Sequence, residues 1–235
     1  MIILSIESST PVAGAAVGTE NEIWAECFLN RGLTHSEILL ELIDQCLTNA
    51  SLKISEVEAI AVTTGPGSFT GLRIGLATAK GFAQVGGQKL IPVPTLDALA
   101  ANLWNTEGLI CPLLNARRRE VYTALYRQEN GEQCRVGDYR AITPEELAAE
   151  LVQKGEKVNF LGDGVAPYQD FFREKLGEKA VFAPAANSLL RAASTLSLAG
   201  KIYSREGGAE LFSLLPFYLR RSEAELKKEE KTCKK

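Results

Sequence analysis

The sequence predicts an α/β protein of two lobes, each a mixed β-sheet flanked by helices. Three observations carry that expectation. Residues 2–104 read as three strands in hairpin order followed by alternating helix and strand, and residues 110–203 repeat the order without repeating the residues. In both halves a strand runs into a glycine turn that opens a helix: Gly65-Pro66-Gly67 in the first, Gly162-Asp163-Gly164 in the second.

In the first half, strands are expected at Ile2–Glu7, Val12–Gly18 and Glu22–Asn30. Thr34-His35-Ser36-Glu37 has the spacing of a capping box, so a helix is expected from Thr34 to about Ala50. The apolar run Val57–Thr63 reads as a buried strand, Phe69–Val85 as a helix with Ser68 as its N-cap, Leu90–Val93 as a short strand and Leu96–Trp104 as a helix. In the second half, strands are expected at Ile110–Leu114 and Val121–Arg127, joined by a turn at Asn115–Arg119, and a third strand after Asn130-Gly131. Thr143-Pro144 places a cap and a first-turn proline ahead of the next helix. Strand Val158–Leu161, helix Pro167–Leu176, strand Ala180–Phe182 and helix Ser188–Tyr203 follow. The expected division is 1–106 and 107–221, with 222–235 a Lys/Glu-rich tail expected to be disordered.

Composition narrows the function. The chain has 235 residues, 46% of them hydrophobic, and a formal net charge of −3, which is not the footprint of a protein that binds nucleic acid by itself. Five cysteines without a Cys-x-x-Cys pair point to a reducing cytosol. Neither a signal peptide nor an apolar run of about 18 residues is present, so a cytoplasmic protein without a membrane segment is expected. The one histidine, His35, cannot by itself build a zinc site or a catalytic triad.

The block Gly65–Gly75 first suggests a phosphate cradle, because a glycine turn at a helix start aims free N–H groups outward. The spacing fits neither known fingerprint. Gly71 is followed by Leu72 with no lysine, and the sixth position of the dinucleotide pattern is Thr70. Contacts to a nucleotide would fall on Glu7, Gly65, Gly67, Ser68, Gly162 and Gly164. Gly71, Gly75 and Ala79 form a small-residue face at a spacing of four, read either as close packing inside the chain or as a subunit interface. The helix from Thr34 adds a wide apolar face with Ile38, Leu39, Leu42, Ile43 and Cys46, while Leu40 lies off its centre.

Two lobes in this order resemble the actin, hexokinase and Hsp70 group of folds (RNase H-like). The motifs Ile6-Glu7-Ser8-Ser9-Thr10, Thr34–Glu37, Gly65–Gly81, Thr95-Leu96-Asp97-Ala98-Leu99, Asn115–Tyr122 and Pro216–Arg220 together resemble the TsaB family, over nearly the whole chain. That resemblance implies a non-catalytic subunit in the synthesis of N6-threonylcarbamoyladenosine in tRNA, at the adenosine next to the anticodon. The implied partners are the catalytic subunit TsaD, in a heterodimer, and the ATPase TsaE. The chain would pair with itself when alone and meet tRNA only through the complex. The family has also been labelled glycoprotease-like. Catalytic relatives carry a His-x-Glu-x-His metal motif where this chain has Thr95 and Leu99, and an acidic pair where it has Pro11 and Val12. The resemblance therefore implies no catalytic residues, no metal and no cofactor required by this subunit, with ATP or ADP allowed at the complex interface. Its partner face would comprise His35, Ile38, Leu39, Leu42, Ile43, Cys46, Phe69, Gly71, Leu72, Gly75, Leu76 and Ala79. The alternative is a nucleotide-binding kinase or ATPase in which Glu7 orders Mg²⁺.

Overall fold

A computed structural model describes residues 1–32 and 34–220; the expected tail at 222–235 lies outside them. The first sheet contains β1 (Ile3–Glu7), β2 (Ala13–Gly18), β3 (Ile23–Leu29), β4 (Ala59–Gly65) and β5 (Lys89–Pro94). Helices α1 (His35–Asn49), α2 (Phe69–Gly86) and α3 (Thr95–Ala100) belong to the same half. The second sheet contains β6 (Leu109–Asn115), β7 (Val121–Glu129), β8 (Glu132–Ile142), β9 (Val158–Leu161) and β10 (Ala180–Phe182). After it come α4 (Pro144–Lys154), α5 (Gln169–Leu176), α6 (Ala185–Ser188) and, packed back on the first sheet, α7 (Ala192–Glu206).

The two sheets have one topology. The order is β3-β2-β1-β4-β5 in the first and β8-β7-β6-β9-β10 in the second. In each, the first three strands are antiparallel neighbours and the last two join in parallel, so the mixed sheets expected from the element order are present. This is the two-lobed, actin-like fold.

Side-chain alternation explains the layering. On β1, Leu4 and Ile6 join Leu39, Ile43, Cys46, Leu76 and Ala79 of α1 and α2 in one core. Ile3 faces the other way, into a central core with Leu96 of α3, Leu196 of α7 and Ile110, Leu114 and Tyr126 of the second sheet. That central core is what joins the lobes. A third core lies between the second sheet and α4 and α5, where Phe160 stacks on Phe172 at 4.6 Å. Truncating such a buried ring to alanine costs about 3–5 kcal/mol.

Three local expectations need correction. Thr34 precedes α1 but its side chain makes no capping bond, whereas the Thr143 box is closed at both ends by Glu146. The helix expected to reach Trp104 stops at Ala100. The helix expected over 188–203 is broken at Leu189–Arg191, where Asn102 donates to the carbonyls of Asn187 (2.9 Å) and Leu189 (2.7 Å). After the break, α7 returns to the first sheet. Ser5 Oγ donates to Ala192 O at 2.6 Å, and Arg191 pairs with Glu26 of β3. From Gly208 the chain runs as a strap over the first lobe, bridging Ala209 to Leu90.

Candidate functional site

A cleft of about 540 Å³ opens between the lobes. Two hairpin turns and the start of α2 line it: Ser9, Thr10 and Pro11 from the β1–β2 turn, Asn115 to Arg118 from the β6–β7 turn, and Pro66 to Thr70. The end of the strap, Phe217 to Arg220, lines it as well.

The β1–β2 turn is a buried polar knot. Glu7 is fully buried; its Oε1 accepts from Ser9 N (2.8 Å) and Ser9 Oγ (2.7 Å), and its Oε2 has no partner among the described residues. Burial pushes the carboxyl up to about 7, against the opposing pull of the Ser9 hydroxyl. Ser8 Oγ donates to Gly71 O at 2.8 Å, Ser68 N donates to Ser9 O at 2.7 Å, and His35 Nε2 meets Thr10 O at 2.8 Å and Val12 O at 3.3 Å. Two carbonyl acceptors require that nitrogen to carry a proton. One turn thus fixes the starts of both α1 and α2.

The β6–β7 turn is built the opposite way. Arg117, Arg118 and Arg119 are exposed and all have positive φ, at 60°, 50° and 60°. Left-handed backbone costs about 1–2 kcal/mol per non-glycine residue. Bonds at the base hold the turn: Arg117 N to Asn115 Oδ1 at 2.9 Å, Ala116 N to Glu120 O at 3.1 Å and Glu120 N to Arg117 O at 3.0 Å. Asparagine at 115 therefore does support the turn, as its sequence position suggested. Nearby, burial pushes the Asp163 carboxyl up. Burial likewise raises the Tyr122 hydroxyl, while Arg220 and Arg117 draw it down.

The expected nucleotide contacts are largely filled by the chain itself. A Cβ on Gly65 (φ 126°) would collide with Phe217 O, and Gly65 N already donates to Thr95 Oγ1 at 3.0 Å. Gly162 and Gly164 lie against Leu113 O, and their N–H groups bond Ser188 Oγ (3.0 Å) and Leu113 O (2.9 Å). Glu7 is sealed in the core. Of the six residues, only Gly67 and Ser68 line the cleft, and Ser68 serves as the α2 N-cap, accepting from Gly71 N at 3.2 Å. Thr95 and Leu99, at the positions of the relatives' metal histidines, are buried. Among the described residues no group of three or more His, Cys, Asp or Glu is placed to hold a metal. Burial raises the Cys46 and Cys111 thiols to about 12, so neither supplies a thiolate near neutrality.

The expected partner face also divides. Leu39, Leu42, Ile43, Cys46, Gly71, Leu72, Gly75, Leu76 and Ala79 are buried within this chain. Gly71 and Gly75 give close approach to Ser8, whose carbonyl and hydroxyl occupy the space a Cβ would need. Gly71 and Gly75 are thus used in close packing inside the chain, and none of the nine residues is exposed on its surface. Ile38 and His35 are half-buried, and Phe69 is covered by Tyr218, with ring centroids 4.6 Å apart. What α1 and α2 present outward is a different and mostly polar set, including Glu37, Glu41, Asp44 and Arg73, among which Leu40 (59% exposed), Val85 (92% exposed), Ala77 and Gly81 are the apolar or small members. The off-centre position of Leu40 was the sequence signal for that set.

Comparison with known proteins agrees across sequence and structure. A family model described as "TsaD: tRNA N6-adenosine threonylcarbamoyltransferase" matches residues 32–228. The "tRNA threonylcarbamoyladenosine biosynthesis protein TsaB" of Bacillus subtilis (strain 168) is 33% identical over 97% of this chain and 97% of its own length. The solved structure "YeaZ from Pseudomonas aeruginosa" is similar with a TM-score of 0.79 and 28% identity, covering 93% of this chain and 99% of that one. At the level of fold alone, component A of the Acidaminococcus fermentans (R)-2-hydroxyglutaryl-CoA dehydratase matches with a TM-score of 0.51 and 14% identity, over 87% of this chain and 98% of that one.

Proposed function

The chain belongs to the TsaB family of tRNA threonylcarbamoyladenosine biosynthesis proteins, and from that premise we propose that it is the non-catalytic subunit that binds and activates TsaD. In this reading it also helps to recruit TsaE, forms a homodimer when alone and works in the cytoplasm beside its tRNA substrate. Among the described residues, no helix is long and apolar enough to cross a membrane.

The observation that carries the proposal is the occupation of the cleft's would-be reactive positions by the chain's own atoms. Phe217 covers Gly65, Leu113 covers Gly162 and Gly164, and Glu7 is walled off from any ligand. A kinase or ATPase needs those positions open to phosphate and metal. The outer surface of α1 and α2 carries exposed apolar and small residues, Leu40, Ala77, Gly81 and Val85, among charged and polar ones such as Glu37, Glu41 and Arg73, a mixture that suits a helix packing across it. That face is proposed for TsaD, replacing the nine inward residues. No cofactor is assigned to this subunit alone, and ATP or ADP would bind only at the boundary with the partner.

The test is threonylcarbamoyl transfer to tRNA by purified TsaD with its adenylate substrate, with and without this protein. Stimulation of at least tenfold is expected; no stimulation would sink the proposal. Leu40→Glu with Ala77→Arg should abolish co-elution with TsaD while leaving the thermal midpoint of the isolated chain within a few degrees.

A further inference from the structure

We infer that the β6–β7 turn is an RNA-contacting element, with Arg118 and Arg119 gripping phosphates of the tRNA at the mouth of the inter-lobe cleft. The inference rests on the proposed tRNA-modifying role and extends it, because it places part of the RNA contact on this subunit rather than on its partner alone.

Charge distribution is the first argument. The chain carries a net charge of −3, so its general field repels RNA, and any RNA contact must be concentrated locally. Three consecutive arginines at one exposed turn are such a concentration. Among the described residues Arg118 and Arg119 make no ion pair or hydrogen bond, so their guanidinium groups are not consumed by the fold. Neither Glu120 next in sequence nor Asp163 in the cleft lining is paired with them. Glu120 is paired with Arg220, and the half-buried Asp163 accepts from Asn115 N at 3.4 Å through Oδ1.

Geometry is the second argument. A turn with three left-handed residues is easiest to build from glycine and asparagine. Here it is built from arginine, and it is held rigid by the bonds of Asn115, Ala116 and Glu120. The backbone bonds fix where the two arginine side chains leave the turn, so the ordering left for a bound phosphate is that of the side chains alone. The opposite wall is compatible with the same ligand. Phe69 and Tyr218 line the cleft there, stacked on each other, and Arg73 lies 3.9 Å over the Phe69 ring, so aromatic and cationic groups of the kinds found at RNA-binding surfaces stand together.

Burial selects RNA over a free nucleotide. The interior positions that would enclose a small phosphate ligand are filled by Phe217 and Leu113, whereas the arginines stand outside at the rim. A polymer backbone can reach a rim without entering the cleft.

The experiment uses the complex with TsaD and fluorescent tRNA, with affinity measured across a series of salt concentrations. Arg118→Gly with Arg119→Gly removes both charges and suits the positive φ values, so the isolated variant should melt no lower than wild type. Its log–log salt dependence should be shallower by about 1.5, near 0.7–0.9 for each phosphate no longer neutralised. Arg118→Lys with Arg119→Lys should keep most of the slope. Arg173→Gln with Lys175→Gln on α5 makes the same change in net charge at a distance and should leave the slope unaltered. A wild-type slope for the glycine pair, or an equally shallow slope for the α5 pair, overturns the inference. So does failure of the glycine pair to co-elute with TsaD, which would make the turn a protein-binding element. Stimulation of transfer by the wild-type chain is read separately and reports only on the proposed function.

Discussion

The β1–β2 and β6–β7 turns hold the same topological place in two sheets of the same strand order, and both border the cleft. They are built from opposite chemistry. The first turns a carboxylate and a row of hydroxyls inward, where Glu7, Ser8, Ser9 and Thr10 bind the helix starts and leave almost nothing exposed. The second turns three arginines outward on left-handed backbone and takes its rigidity from bonds at its base. A duplicated fold has thus divided two tasks between equivalent turns. One fixes the α1/α2 face from within, and the other presents charge to whatever approaches the cleft.

The largest effect should come from unseating the first turn. Gly75→Leu would drive a side chain into Ser8 Oγ and toward Val62, at the point where α2 rests on the β1–β2 turn. Overpacking against this turn should cost more than about 3 kcal/mol, read as a collapse of the urea midpoint or loss of soluble protein. A variant with a wild-type midpoint would show that the turn does not seat the helix.

Removing the buried charge comes next. Glu7 has its carboxyl raised from 4.5 to about 7, so the folded state holds a proton that the unfolded state has released. The stabilising contribution is complete below about pH 4.5 and is lost as pH rises through about 7. Above that, the native state carries a penalty on the order of 3 kcal/mol. Glu7→Gln should flatten stability between pH 4.5 and 7 and raise the urea midpoint at pH 8. An unchanged pH profile would mean that the knot tolerates the charge as readily as water does. The second sheet has no carboxylate at the equivalent place, where β6 ends on Leu113, Leu114 and Asn115.

The smallest effect belongs to the second turn. Asn115→Ala removes the acceptor for Arg117 N and should lower stability by about 1 kcal/mol, while Asn115→Asp keeps the acceptor and should be close to neutral. Equal losses for both would show that the side-chain N–H of Asn115, and not its oxygen, matters to the turn.

Much of this architecture was legible in the sequence because it is written in local periodicity. Val158–Leu161 and Ala180–Phe182 are strands with the expected bounds, and Ser68 and Thr143 cap their helices as read. What escaped depended on contacts between distant residues. The Gly71–Gly75 face reads the same whether it meets a partner or Ser8, and only the fold decides for Ser8. The break before α7 is imposed by Asn102, far away in sequence. The left-handed arginines left no signal either, because the residue types at 117–119 argue against that conformation.

The return of α7 to the first sheet has a consequence for how the chain is made. The first sheet's strands are all synthesised once Pro94 has been added, but the helix that covers its central face ends at Glu206. At about 5–20 residues per second, the ribosome delivers that cover roughly 6–20 s later. For that interval Ile3, Ala16, Ala59 and Ala61, which all join the central core, lack Leu196 and Ala199 above them. Completion of the N-terminal lobe's central core therefore waits for the synthesis of α7, about 110 residues after its last strand.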